Sequence, residues 1–245
     1  MALREEFEKL GNWFFRWRSY LPLVLTIFFL TALIANPGNP TEPNRPLEFF
    51  CLAVALLGLG VRMYAVGCAP KGTSGRNTKE QRAYELNKTG IYSLVRHPLY
   101  LGNFLMWFGI ALFTSSWMVI LATVFFFWFY YEKIMFADEE FLRREFGDTY
   151  LKWAEKTPPF FPTRWSSWKR PALPFSWKNA LRREYSGFFA IISSFGLMKL
   201  IGDSAANREI FVDTVWLAVF LAGLIIYISL MFLKKKTTLL DVKGR

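Results

Sequence analysis

Six long apolar runs decide what this chain can fold into. They lie at roughly residues 19–36, 47–67, 98–114, 117–132, 185–202 and 211–233. A helix that crosses a bilayer needs about 20 consecutive apolar residues. The fold class expected is therefore all-α: a polytopic transmembrane helical bundle of about six spans. Composition agrees, with 53% hydrophobic and 19% aromatic residues, more apolar than an ordinary soluble chain. The first run ends in the loop "NPGNPTEPNRP". The third and fourth are short and are joined only by "TSSW", which predicts a helical hairpin with almost no exposed turn.

The net charge is +11. The basic residues lie between the apolar runs, where topology and anionic lipid explain them better than nucleic acid does. The segments 68–97 and 133–184 and the tail after residue 233 are rich in Lys and Arg, whereas the intervening loops carry few. Basic loops stay on the cytoplasmic side. Both termini are expected there, consistent with an even number of spans.

The chain has two cysteines, Cys51 and Cys68, and one histidine. That set supplies neither a zinc cluster nor a disulfide framework, so no metal is expected. No strand–glycine–helix unit marks a nucleotide site, and the "GLG" at 58–60 sits inside an apolar run, where it reads as close helix packing. The acidic and basic residues before the first run make a poor signal peptide, so that run is expected to be retained.

The single histidine sits in "GIYSLVRHPLYLGN", residues 90–103. A residue before proline avoids the helical region, and proline favours the first helical position. Pro98 is thus expected to begin the third span, with His97 as its N-cap. Arg96 and the helix N-terminus together suit an anion. Tyr100 and Asn103 share a helix face, and Gly102 admits a close approach to the backbone. The plainer reading is that Arg96, His97 and the tyrosines merely line the membrane–water boundary.

A second cluster, "ADEEFLRREFGDTYLKW" at 137–153, follows the hairpin. The hairpin returns the chain beside its own entrance, so Asp138, Glu139 and Glu140 should face Arg96 and His97. Alternatively they pair with Arg143 and Arg144 along a surface helix. A cluster of both signs suits a zwitterionic ligand that carries a further cation.

"TGIYSLVRHPLYLGN", the hairpin, "DEEFLRREFGDTYLKW" and "TPPFFP" together resemble the isoprenylcysteine carboxyl methyltransferase family, which groups with the phospholipid methyltransferases. The resemblance is firm over 88–162, weaker over 47–87, and does not reach 1–46 or 163–245. It implies S-adenosylmethionine as methyl donor. It also implies a cofactor site at Arg96, His97, Tyr100, Gly102, Glu139 and Glu140, to which we add Asn103 from its shared face with Tyr100. His97 and Glu140 are the catalytic candidates. The donor's carboxylate would suit Arg96, its ammonium Glu139 or Glu140, and its sulfonium a tyrosine ring or carbonyl oxygens.

A pocket at the bilayer surface implies an amphiphilic acceptor, a membrane lipid. The segment 163–184 interleaves Arg164, Lys169, Arg170, Lys178, Arg182 and Arg183 with Trp165, Trp168 and Trp177, which favours an anionic or phosphorylated headgroup such as a lipid A-like phosphate. Prenyl-cysteine carboxyl and lipid amine acceptors stay open, as does a plain positive-inside linker. Substrate candidates are Arg62, Arg76 in "PKGTSGRN", Arg182 and Arg183. O-methyl transfer is favoured over N-methyl transfer. The expected division is 1–87 (first spans and loop), 88–162 (methyltransferase core) and 163–245 (basic segment and two spans). The expected location is an integral membrane with the site facing the cytoplasm, the bacterial inner membrane before the endoplasmic reticulum. A non-enzymatic lipid-binding or transport protein is the competing class. The sequence does not speak to oligomeric state.

Overall fold

A computed structural model describes residues 2–18, 20–35, 44–70, 72–73, 81, 83–242 and 244, without the side chains of 21–23. Arg76 lies outside the described residues, with most of the 70–77 stretch. Among the described residues the chain is all helical: α1 (Leu3–Trp17), α2 (Leu21–Ala35), α3 (Arg45–Cys68), α4 (Pro98–Phe113), α5 (Trp117–Ala154), α6 (Trp177–Asn207) and α7 (Thr214–Lys236). Four of them, α3, α5, α6 and α7, are long and apolar enough to cross a membrane; α2 and α4 are apolar but shorter.

The hairpin forms as the sequence leads one to expect. Pro98 opens α4 with His97 at the N-cap, and only Thr114, Ser115 and Ser116 separate α4 from α5. Up to its break at Gly147, α5 runs about 45 Å, roughly half again the hydrocarbon thickness of about 30 Å. Its apolar first half can cross. Its second half, from Asp138 onward, carries "DEEFLRRE" and is too charged to suit hydrocarbon. The helix breaks at Gly147, where φ is 48° and ψ is −128°, a conformation only glycine adopts readily.

Helices α3 and α4 pack backbone to backbone through small residues. A Cβ on Gly102 would lie 2.7 Å from the Gly58 carbonyl oxygen, and one on Gly109 would lie 2.6 Å from the Cys51 oxygen. Without a hydrophobic force between helices in lipid, such close approach is what holds a seam together. One apolar core joins α2, α3, α4, α6 and α7 around Phe29, Cys51, Ile191 and Phe195. A second joins α1 to α5 and Phe160.

At the bundle end away from His97, a partly buried ionic cluster ties three helices. Glu48 accepts from Lys199 (2.7 Å), Trp216 (2.8 Å) and Arg45 (2.9 Å), and Asp213 pairs with Arg45.

Candidate functional site

The site forms where the mouth of the hairpin meets the segment that follows it. Pro158 and Pro159 turn the chain back under α4, and their carbonyls accept from the Arg96 and His97 amides at 2.9 and 3.0 Å. Those two amides are thereby spent, so the helix terminus offers an anion less than its sequence suggests. The side chains remain. Glu139 receives both of them: His97 Nε2 lies 2.8 Å from one carboxylate oxygen and an Arg96 guanidinium nitrogen 3.2 Å from the other. Tyr100 stacks on His97, centroids 5.6 Å apart, and donates to Asp138 at 2.5 Å. Gln81 also donates to Asp138, at 3.2 Å.

The electrostatics follow from burial and charge. Burial pushes the Glu139 carboxyl up, but the His97 hydrogen bond and the charges of His97 and Arg96 outweigh it and hold the group below its usual range. Burial raises the Tyr150 phenol, and the Glu139 charge adds to the rise. Burial pushes Tyr92 up to about 12, against the opposing pull of Arg183 and Arg62.

Two buried side-chain atoms here, Arg96 Nε and the Tyr150 hydroxyl, make no hydrogen bond. The hydroxyl lies close enough to both Glu139 and Arg96 for each to shift its pKa, but meets neither in good hydrogen-bond geometry. Buried polar groups are normally paired, so a polar ligand that reached these two atoms would find them unsatisfied. Opposed charges on Arg96 and Glu139 beside these atoms would suit a ligand that carries both signs.

Other expected residues fall elsewhere. Glu140 turns to the N-terminal helix, where Arg4 pairs with it and donates at 3.1 Å through Nε; Arg143 stands 3.9 Å away. Arg144 pairs with Glu8. Glu140 thus faces away from the Arg96–His97 corner, with Arg4 rather than Arg143 or Arg144 as its main partner. Gly102 does admit a close approach, but of protein: a Cβ there would meet the Arg62 stem at 2.5 Å. Asn103 donates to the Tyr131 hydroxyl at 2.9 Å and accepts from Arg62 at 2.7 Å. Arg62 also forms a two-pronged pair with Glu184, both contacts 2.9 Å. Arg182 pairs with Asp241 at the surface, 2.9 Å away. The charge of Arg183 reaches Tyr92 and opposes the rise that burial gives its phenol.

Sequence reasoning missed Arg4, Gln81, Tyr131, Tyr150 and Glu184 as partners of the site. Only Tyr150 carried a signal, the spacing in "FGDTY": the break at Gly147 turns the chain just before this buried tyrosine.

The basic segment lies against the same end. Gly90 donates to the Lys169 carbonyl at 2.8 Å, and the Lys169 amide donates to the Ser93 hydroxyl at 2.9 Å. Trp165 and Trp177 stay largely exposed, at 72% and 67%.

The family model described as phospholipid methyltransferase matches residues 50–149. The nickel-cobalt-cadmium resistance protein NccN of Alcaligenes xylosoxydans xylosoxydans is 36% identical over 149 residues, 60% of this chain and 62% of that protein. The chain therefore covers less than two thirds of NccN. The cobalt-zinc-cadmium resistance protein CzcN of Cupriavidus metallidurans is 30% identical over 193 residues, 77% of this chain and 86% of its own. The protein-S-isoprenylcysteine O-methyltransferase of Schizosaccharomyces pombe is 28% identical over 85 residues, 35% of this chain and 36% of its own. No solved structure matches. The matched residues span the α3–α4 seam, the hairpin and the carboxylates that face Arg96 and His97, and the chain belongs to the phospholipid and isoprenylcysteine methyltransferase family of membrane proteins.

Proposed function

We propose that the protein is an S-adenosylmethionine-dependent methyltransferase whose acceptor is the anionic headgroup of a membrane lipid. The observation that carries this reading is Glu139 held between His97 and Arg96, with a buried Arg96 Nε and Tyr150 hydroxyl left unpaired beside it. The chemistry the cofactor supplies is an electrophilic methyl group, which leaves sulfur with the bond pair behind it as the acceptor oxygen forms the new bond. The protein's task is alignment and exclusion of water. Arg96 and the acidic groups orient the two ends of the donor. Tyr100, fixed by Asp138, and Tyr131 supply ring faces to a sulfonium. An ionised phosphate or carboxylate needs no base, which favours O-methyl transfer. For an amine acceptor His97 would take the proton. Glu140 serves the donor site only by giving up Arg4.

The site faces the cytoplasm of a bacterial inner membrane, with both termini on that side and six helices crossing. The methyltransferase core is 88–162, with 1–87 and 163–245 flanking it. The basic, Trp-rich segment laid across Gly90–Ser93 supports an anionic acceptor. Arg182 and Arg183, on the first turns of α6, would meet that headgroup. Arg62, being committed to Glu184 and Asn103, would not.

The names of two relatives suggest a setting. Esterifying a phosphate or carboxylate oxygen removes a negative charge and with it a ligand for divalent cations. Methylation of surface lipid would then lower metal binding at the membrane, and we propose metal resistance as the physiological context.

Calorimetry of the purified protein with S-adenosylmethionine, wild type beside His97→Ala and Glu139→Ala, tests the reading. Binding lost in both variants supports it. Labelled methyl transfer into total lipid then identifies the acceptor and separates lipid phosphate from prenyl-cysteine carboxyl and lipid amine. No binding by a folded, monodisperse sample with lipid present would overturn it in favour of a non-enzymatic lipid-binding or transport protein.

A further inference from the structure

The two C-terminal helices lie beyond the residues that the family model matches, yet one of their side chains reaches the site. Glu184, on the second turn of α6, is 2% exposed. Its two oxygens accept from Arg62 Nε and a terminal guanidinium nitrogen, both at 2.9 Å. The other terminal nitrogen donates to Asn103 Oδ1 at 2.7 Å. The Asn103 amide donates to the Tyr131 hydroxyl at 2.9 Å. The Tyr131 ring lies 5.0 Å from that of Tyr100, which in turn holds Asp138. The chain of contacts is unbroken from α6 through α3 and α4 to α5.

Each link is constrained. Arg62 lies six residues before the end of α3, about 9 Å inside it. A guanidinium at such depth is costly unless paired, and a planar fork met by a carboxylate is its best partner. The fork leaves one nitrogen over, and that nitrogen decides which way Asn103 points. Asn103 has a donor end and an acceptor end. With Arg62 donating to its oxygen, only its amide can meet Tyr131. Gly102 leaves the room in which the Arg62 stem crosses α4.

We propose that Glu184 is a positioning residue of the donor site: by fixing the Arg62 fork it orients Asn103 and, through it, the Tyr131 hydroxyl and ring beside Tyr100. It touches no reacting atom. This gives α6 a part in the site as well as in the bundle. The proposal rests on the methyltransferase reading for its consequence, but not for its geometry.

The test uses the full chain in lipid nanodiscs, with 3-fluorotyrosine placed at Tyr131 and read by fluorine NMR. The variants are Glu184→Gln, Glu184→Leu and the double change Arg62→Leu with Glu184→Leu. The double change removes the buried charges together, so it should fold even where Glu184→Leu does not. Positioning predicts a moved Tyr131 signal and S-adenosylmethionine affinity at least tenfold weaker in the double variant, although it melts near wild type. Glu184→Gln keeps an acceptor for Arg62 and should stay within about threefold of wild-type affinity. A merely structural pair predicts that the double variant restores everything; an unmoved Tyr131 signal with unchanged affinity overturns the proposal. If the wild type itself binds no S-adenosylmethionine, the methyltransferase reading fails, and the fluorine signal alone decides: moved supports the positioning role, unmoved overturns it.

Discussion

Adding one methyl group at Gly102 should separate the two helices on which the site is built. A Cβ there would lie 2.5 Å from Arg62 Cγ, 2.7 Å from the Gly58 carbonyl oxygen and 3.2 Å from Arg62 Cδ. The first contact is roughly 1 Å inside ordinary carbon–carbon distance. The second is to backbone, so it cannot be relieved by a side-chain rotation. Either α4 moves off α3 or Arg62 swings away from Asn103. Overpacking of this kind costs about 1–3 kcal/mol, which in a chain of this size lowers the melting temperature by roughly 2–12 °C. Gly60, on the same helix α3, is the control: nothing lies within 4 Å of its would-be Cβ. There the same substitution should stabilise by about 0.5–1 kcal/mol, because glycine weakens a helix interior relative to alanine. Cys51 is 0% exposed and lies on this seam, so its reaction with a thiol-sensitive dye reports unfolding directly once Cys68 is replaced by Ser. Gly102→Ala should release Cys51 at lower temperature than wild type, and Gly60→Ala at the same temperature or higher. Equal melting of Gly102→Ala and wild type, or an equal fall in Gly60→Ala, would refute the seam.

Three further predictions concern the site and its supports. Glu139→Gln should weaken S-adenosylmethionine binding by about 10–100-fold, the range for hydrogen bonds to a charged group, and should also lower the melting temperature, because the carboxylate holds Arg96 and His97; undiminished binding in calorimetry would remove Glu139 from the site. Gly147→Ala should cost about 1–3 kcal/mol through backbone strain alone, since nothing lies near the added Cβ; melting and donor affinity should fall together, because Tyr150 follows the break. Asp213 accepts from the Val215 and Trp216 amides and pairs with Arg45; burial pushes its carboxyl up, but these partners outweigh burial and hold it below its ordinary value. A depressed carboxylate stabilises the fold fully above its unfolded pKa near 4 and loses that contribution as pH falls through the folded value. The melting difference between wild type and Asp213→Asn should therefore be widest at neutral pH and narrow in acid; a difference independent of pH would refute the assignment.

Much of this was legible in the sequence because local physics fixed it. The apolar runs could only become helices in lipid, Pro98 could only open α4, and a three-residue link could only return α5 beside α4. From that return alone, the acidic run Asp138, Glu139 and Glu140 was expected near His97 and Arg96. What the sequence could not decide were choices between equivalent partners far apart in the chain. Glu139 and Glu140 are neighbours of one type on one helix, separated by about 100° of rotation; which of them meets Arg96 depends on how α5 is turned, and α1 claims the other through Arg4. Arg62 read as a cation awaiting an anionic substrate, because Glu184, 122 residues away, leaves no local trace of the pairing. Gly102 read as room for a ligand, when the room belongs to Arg62. Periodicity and chain stiffness act over a few residues and settle which helices form. Pairing across helices depends on their rotation and register, and these are fixed only once the whole bundle has closed around its small-residue seam.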